Sequence, residues 1–167
     1  MADVIILSGS RFNTDNIPRI ERSLGPYRIA SELQKHGYDA IVIDYIQYMS
    51  TEEINRAINK YLTPQTLWVG YSSTFFHLMK NTILTPYEKM YQSNSKDRID
   101  SIYDNIKSNS NAKIVFGGAW ALLSHADNKV DYYIAGYGDV STVDLTHYLA
   151  GKKDSLDHFT QKEIDGK

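Results

Sequence analysis

Residues 24–45 read LGPYRIASELQKHGYDAIVIDY. The order of elements within this stretch decides the fold class. From Gly25 the chain reads as a helix. Pro26 falls in its first turn, where a missing N–H costs nothing, and Gly37 is placed to end it. Ala40 to Tyr45 is then a short apolar run, which reads as a strand. Upstream, Asp3 to Leu7 is a second β-branched run, stopped by Ser8-Gly9-Ser10. Strand, helix, strand is the βαβ unit of a parallel sheet.

The same rhythm continues downstream. Ser50 and Glu53 have the spacing of a capping box. Ile54, Ala57, Ile58 and Tyr61 follow at the spacing of one buried helix face. Thr66 to Tyr71 is a third strand. Asp97 to Lys107 is a helix with Ile99, Ile102 and Ile106 on one stripe. Lys113 to Phe116 is a fourth strand and Tyr132 to Ala135 a fifth. Val140, Val143 and His147 mark a last helix, closed near Gly151. The strands are continuous apolar runs, as expected when helices cover both faces. The expected fold is therefore α/β: three layers around a doubly wound, five-stranded parallel sheet, Rossmann-like or flavodoxin-like. Crossovers should be right-handed. The order 2-1-3-4-5 is expected from the class and not from the pattern.

Three segments stand outside this rhythm. Arg11 to Arg22, with Pro18 inside it, reads as a long polar loop. Ser72 to Lys96 is too long for an ordinary βα loop and holds apolar residues from Phe75 to Leu84, so it reads as an extra helix or a lid. Residues 151–167 read as a polar tail, either a disordered end or a linker, after a domain spanning residues 1–150.

Composition narrows the function classes. The chain has 167 residues, 42% hydrophobic and 23% charged, with a formal net charge of −2. That balance gives no support to a nucleic-acid binder. The chain has no cysteine, which excludes disulfides, thiolate metal sites and cysteine-held iron–sulfur clusters within it. The N-terminus lacks a basic region and a long apolar run, so neither a signal peptide nor a membrane span is expected. The expected location is cytoplasmic. The 13 tyrosines read as fillers of a half-buried layer with their hydroxyls at the surface.

In open parallel sheets, ligands bind beyond the carboxyl ends of the strands. Those ends read Ser8-Gly9-Ser10-Arg11 after strand 1, Ser72-Ser73-Thr74 after strand 3, Gly117-Gly118 after strand 4 and Gly136-Tyr137-Gly138-Asp139 after strand 5. Glycine lets backbone N–H groups approach a bulky ligand, and helix N-termini favour anionic groups. The first and third strand ends lack the acidic cluster of a phosphate-accepting receiver domain. No P-loop, G-x-G-x-x-G or G-x-S-x-G motif is present. His77 and His125 follow strand-end loops, whereas His36 and His147 read as surface or capping residues. No histidine pair has the spacing of a zinc site.

Taken in order, these motifs resemble the N-terminal cobalamin-binding domain of B12-dependent radical S-adenosylmethionine proteins. The stretches that carry the resemblance are LGPYRIASELQKHGYDAIVIDY, TLWVGYSSTFF, KIVFGGAWA and VDYYIAGYGDVSTVDLTHYL, spread from about Asp3 to Leu149. The resemblance implies a Rossmann-like fold holding a corrin over the strand ends. It implies cofactor-binding roles for Ser10, Arg11, Ser72, Ser73, Thr74, Gly117, Gly118, Gly136 and Gly138, with no catalytic residue and no protein metal ligand. The D-x-H-x-x-G motif is absent, so no histidine from that loop would ligate cobalt. Gly136-Tyr137-Gly138-Asp139 stands where Gly-Glu-Gly-Glu is common. The C-x-x-x-C-x-x-C of the radical domain is absent, so that domain would act in cis or in trans. Two alternatives stay open: a non-catalytic interaction module with a degenerate cofactor site, and a small hydrolase.

Overall fold

The computed structural model of the chain describes residues 1–13, 19–72, 96–118, 121 and 129–156. In chain order these form β1 (Val4–Leu7), β2 (Arg11–Asn13), β3 (Arg19–Glu21), α1 (Leu24–Lys35), β4 (Ala40–Ile43) and a 3-10 turn (Ile46–Tyr48). Then come α2 (Thr51–Asn59), β5 (Trp68–Ser72), α3 (Lys96–Asn109), β6 (Lys113–Gly118), β7 (Tyr132–Ala135) and α4 (Asp139–Leu149).

The main sheet runs β4-β1-β5-β6-β7 and every pairing is parallel. Counted along its own five strands, the order is 2-1-3-4-5, as expected. Both faces are covered. On one, Ile54 and Ile58 of α2 and Ile99, Ile102 and Ile106 of α3 pack against Ile5, Leu7, Val69, Tyr71, Ile114 and Phe116. On the other, Ala30 and Leu33 of α1 and Leu145 of α4 pack against Val4, Ile6, Trp68, Val115 and Ile134. Successive strand side chains point to opposite faces, so each strand feeds both layers.

Local chemistry sets the element ends. The Ser50 hydroxyl accepts from the Glu53 N–H, and the Glu53 carboxylate accepts from the Ser50 N–H, completing the capping box. Helix α1 closes in a Schellman motif. Gly37 takes a φ of +83°, its N–H donates to the Gln34 carbonyl, and the Tyr38 N–H donates to the Leu33 carbonyl.

Two readings need correction. Residues 11–13 and 19–21 do not form loop throughout: they pair as an antiparallel ribbon, with Arg11 opposite Glu21. Each run carries one apolar residue, Phe12 or Ile20, between two polar ones, and three residues are too few to signal a strand; the pairing satisfies backbone groups where the chain leaves the main sheet. In α4 the buried face is Thr142, Leu145 and Thr146, whereas Val140 is 69% exposed. The threonine hydroxyls donate to the carbonyls one turn back, Thr142 to Gly138 and Thr146 to Thr142. Polar side chains satisfied in this way can occupy a core face.

Much of the long segment after β5, including the stretch from Phe75 to Leu84, lies outside the described residues, as does 157–167. Leu156 packs on the α1/α4 side of the core, and Lys153 pairs with Asp144. No helix among the described residues is long and apolar enough to cross a membrane.

Replacing Ser50 with alanine removes the cap and is expected to cost about 1 kcal/mol, or about 2–4 °C in melting temperature for a chain of this size. An unchanged melting curve would show that the box adds nothing to α2.

Candidate functional site

The alternation of β5 and β6 prepares the site. Trp68, Gly70 and Ser72 share the face under α1 and α4, while Val69 and Tyr71 serve the opposite core. In β6, Val115 and Gly117 lie on the α1/α4 side and Ile114 and Phe116 on the other. Register then lines up two rows: Ile6, Gly70 and Val115 are neighbours, and so are Ser72, Gly117 and Ile134. The opposite face is filled at the same level, where the Tyr71 and Phe116 rings stack with centroids 5.9 Å apart. Toward α1 and α4, Gly70 and Gly117 contribute no side chain, and the sheet surface stays low.

A cavity of about 540 Å³ occupies that space. Its floor is Ile6, Trp68, Gly70, Val115, Gly117 and Ile134. One wall is the start of α1, Leu24 to Ile29. The other is the β7–α4 loop, Gly136 to Asp139, with Thr142 behind it. Trp68 shapes the floor. Its indole lies so close to Gly70 that a Cβ there would meet the ring at 2.5 Å. The indole N–H donates to the Thr146 hydroxyl at 2.9 Å, a buried bond that ties β5 to α4. Gly138 sits tightly against α1, since a Cβ there would lie 3.3 Å from the Ile29 side chain.

Both walls end in helix N-termini without side-chain caps. Ser23 is the N-cap of α1 but makes no capping bond. The residue at N3 is Pro26, which has no N–H to give. The N-cap of α4 is Gly138, which has no side chain. First-turn N–H groups are therefore left open beside the cavity, an arrangement that suits an anionic group. Asp139, in the first turn of α4, takes up part of that field and pairs with Arg28 Nε at 2.8 Å, joining the two walls.

The residues expected at the site divide clearly. Ser72, Gly117, Gly118, Gly136 and Gly138 line one cavity. Ser73, Thr74, His77 and His125 lie outside the described residues. Arg11 begins the β2–β3 ribbon. Ser10 is fully buried and stands apart from the cavity lining. Its hydroxyl donates to Asp44 at 2.7 Å and accepts from the Ser23 N–H at 3.1 Å, and its carbonyl accepts from the Gln47 amide. Asp44 also accepts from the Tyr27 hydroxyl and the Tyr45 N–H, each at 2.7 Å. This node joins the exits of β1 and β4 to the start of α1. Partial burial and the Asp44 carboxylate push the Tyr27 phenol up to about 12. His36 and His147 end α1 and α4, with rings 5.5 Å apart, edge to face, at the C-terminal ends of these helices, away from the cavity lining. Sequence reasoning missed Trp68, Gly70, Leu24, Ile29 and Thr142. The available signal was Trp68-x-Gly70-x-Ser72 beside Val115-x-Gly117, small residues at alternate positions of neighbouring strands.

No protein-family model matches the chain, and no curated protein matches it. Among solved structures it is similar to the radical S-adenosylmethionine methyltransferase TsrM from Kitasatospora setae, determined with cobalamin and a 4Fe-4S cluster bound. The TM-score is 0.53 at 16% identity, over 93% of this chain and 26% of TsrM. The chain thus spans about a quarter of the length of TsrM, and the likeness is one of fold. Phospholipase A1 from Streptomyces albidoflavus NA297 superposes more loosely, with a TM-score of 0.38 at 14% identity over 91% of this chain and 75% of that one, and bears on neither fold nor function.

Two predictions follow from the geometry. Gly70→Ala forces the Trp68 indole aside and is expected to cost about 1–3 kcal/mol. Gly117→Ala makes only ordinary contacts, the nearest at 3.6 Å, and should hold or raise stability by about 0.4–1 kcal/mol. Equal melting temperatures for the two variants would contradict this account of the floor. For Tyr27, the folded chain holds the phenolic proton to a higher pH than the unfolded chain. That share of stability is complete below about pH 10 and is lost as the pH rises through about 12. Melting temperatures taken from pH 9 upward should fall more steeply for the wild type than for Tyr27→Phe, and parallel curves would refute the shift.

Proposed function

We propose that the domain binds cobalamin over its strand ends and serves as the cofactor-holding module of a B12-dependent radical S-adenosylmethionine system. The observation that carries the reading is the apolar cavity at the carboxyl edge of the sheet, bared by Gly70 and Gly117 and walled by two uncapped helix N-termini. A Cβ at Gly138 would press on Ile29, and any larger side chain at Gly117 would rise into the cavity. The floor is hydrophobic, and the polar side chains around it include Ser72, Thr142, Tyr137 and the Arg28–Asp139 pair. Such a site suits a large ligand with an apolar insert and a polar rim.

On this reading Ser72, Gly117, Gly118, Gly136 and Gly138 hold the cofactor, together with Ser73 and Thr74, which follow Ser72 in the sequence. Bound cobalamin would supply methyl-transfer chemistry at cobalt. The chain's own part is to bind, orient and shield the cofactor. The radical chemistry would come from a separate domain, in cis or in trans, because this sequence has no cysteine to hold a cluster. A degenerate interaction module would fill the site with its own side chains, and the described residues leave it open. A hydrolase would need a base beside its nucleophile, and the described lining holds Ser72 but no histidine.

Purified protein mixed with hydroxocobalamin is expected to retain the corrin absorbance through gel filtration. Gly117→Leu should remain folded by circular dichroism and emerge colourless. A colourless wild type at saturating cobalamin would end this reading, and a coloured Gly117→Leu would move the cofactor elsewhere on the domain.

A further inference from the structure

We infer that Tyr137 is a ligand-contacting residue, its ring lying against the group held at the mouth of the cavity and setting how tightly that group is kept. The inference rests on the cobalamin reading and assigns a role to a residue that reading leaves unused.

Tyr137 lines the cavity yet is 91% exposed, and among the described residues it makes no hydrogen bond. It is not alone. Leu24, on the opposite wall, also lines the cavity and is 74% exposed. Large exposed apolar side chains are unremarkable when scattered, but a cluster rimming a concave site marks a binding surface. Here Tyr137 and Leu24 stand on opposite walls of a cavity whose floor is apolar, so a ligand larger than the cavity would meet apolar surface as it emerges.

The backbone supports a contact role. Gly136, just before Tyr137, takes a φ of +74° with open space around it. Gly138, just after, is wedged against Ile29, Thr142 and Ile134. One side of Tyr137 is therefore anchored to α1 and the start of α4, while the other has room. The ring can settle on a ligand without disturbing the helix. A phenol also supplies a broad, rigid, flat surface at low entropic cost, suited to the face of a conjugated macrocycle.

The test compares the intact chain with Tyr137→Ala and Tyr137→Phe, titrating each with hydroxocobalamin by absorbance. Tyr137→Ala is expected to weaken binding about three- to tenfold, and Tyr137→Phe to stay within about twofold, because the ring and not the hydroxyl makes the contact. The induced circular dichroism of the bound corrin should change in Tyr137→Ala and be kept in Tyr137→Phe. Melting temperatures without ligand should agree for all three, since the side chain is exposed. Binding by the wild type with equal affinity and an equal spectrum in Tyr137→Ala overturns the role of Tyr137 and leaves the cobalamin reading standing. Absence of binding by the wild type overturns both.

Discussion

The buried hydrogen bond from the Trp68 indole to the Thr146 hydroxyl ties together the side of the sheet that holds the cavity. An indole N–H taken out of water needs a partner, and α4 provides one on its inner face. The bond holds the ring beside Gly70, which leaves room for it by having no Cβ. It also seats α4 on the sheet through a polar contact at the foot of the cavity, so the upper part of that face need not be packed solid. Without that anchor, bringing α4 closer to the sheet would bury more apolar surface and close the gap.

The two faces of one sheet show how a period of two divides labour. Tyr71 and Phe116 fill the layer beneath α2 and α3, where nothing but packing is required. Their immediate neighbours Gly70 and Gly117 lie on the α1/α4 side, where the same strands provide an opening. The continuity of the apolar runs is what made these strands recognisable, and it also hid the division. Read as runs, TLWVGY and KIVFGG are simply buried strands. Read at alternate positions, each is a packed face joined to a bare one.

Strands, helices and helix ends were legible because their causes are local: β-branched runs, a Ser50/Glu53 box, a glycine at the end of α1. The strand order followed from the class of fold, and parallel pairing confirmed it. The β2–β3 ribbon was not legible, because each of its strands is only three residues long with a single apolar residue, Phe12 or Ile20, at its centre. The inner face of α4 was not legible either, because Thr142 and Thr146 are buried as hydrogen-bonded polar groups and no hydrophobic stripe betrays them. Part of the site was visible as glycine and serine at strand ends. Its floor was not, since Gly70 lies inside a strand and owes its role to a ring two residues away.

The node of Ser10, Asp44 and Tyr27 has a reach beyond its own bonds. Ser10 receives the N–H of Ser23, the residue that introduces α1, and Tyr27 grips the same carboxylate from within that helix's first turns. One wall of the cavity is thus moored to the far edge of the sheet, next to β4. A change at Asp44 would therefore act on the start of α1, which carries the lining residues Leu24, Gly25 and Pro26, from outside the cavity. The width of the mouth is in this sense a property of the sheet's outer strand as much as of the loops that frame it.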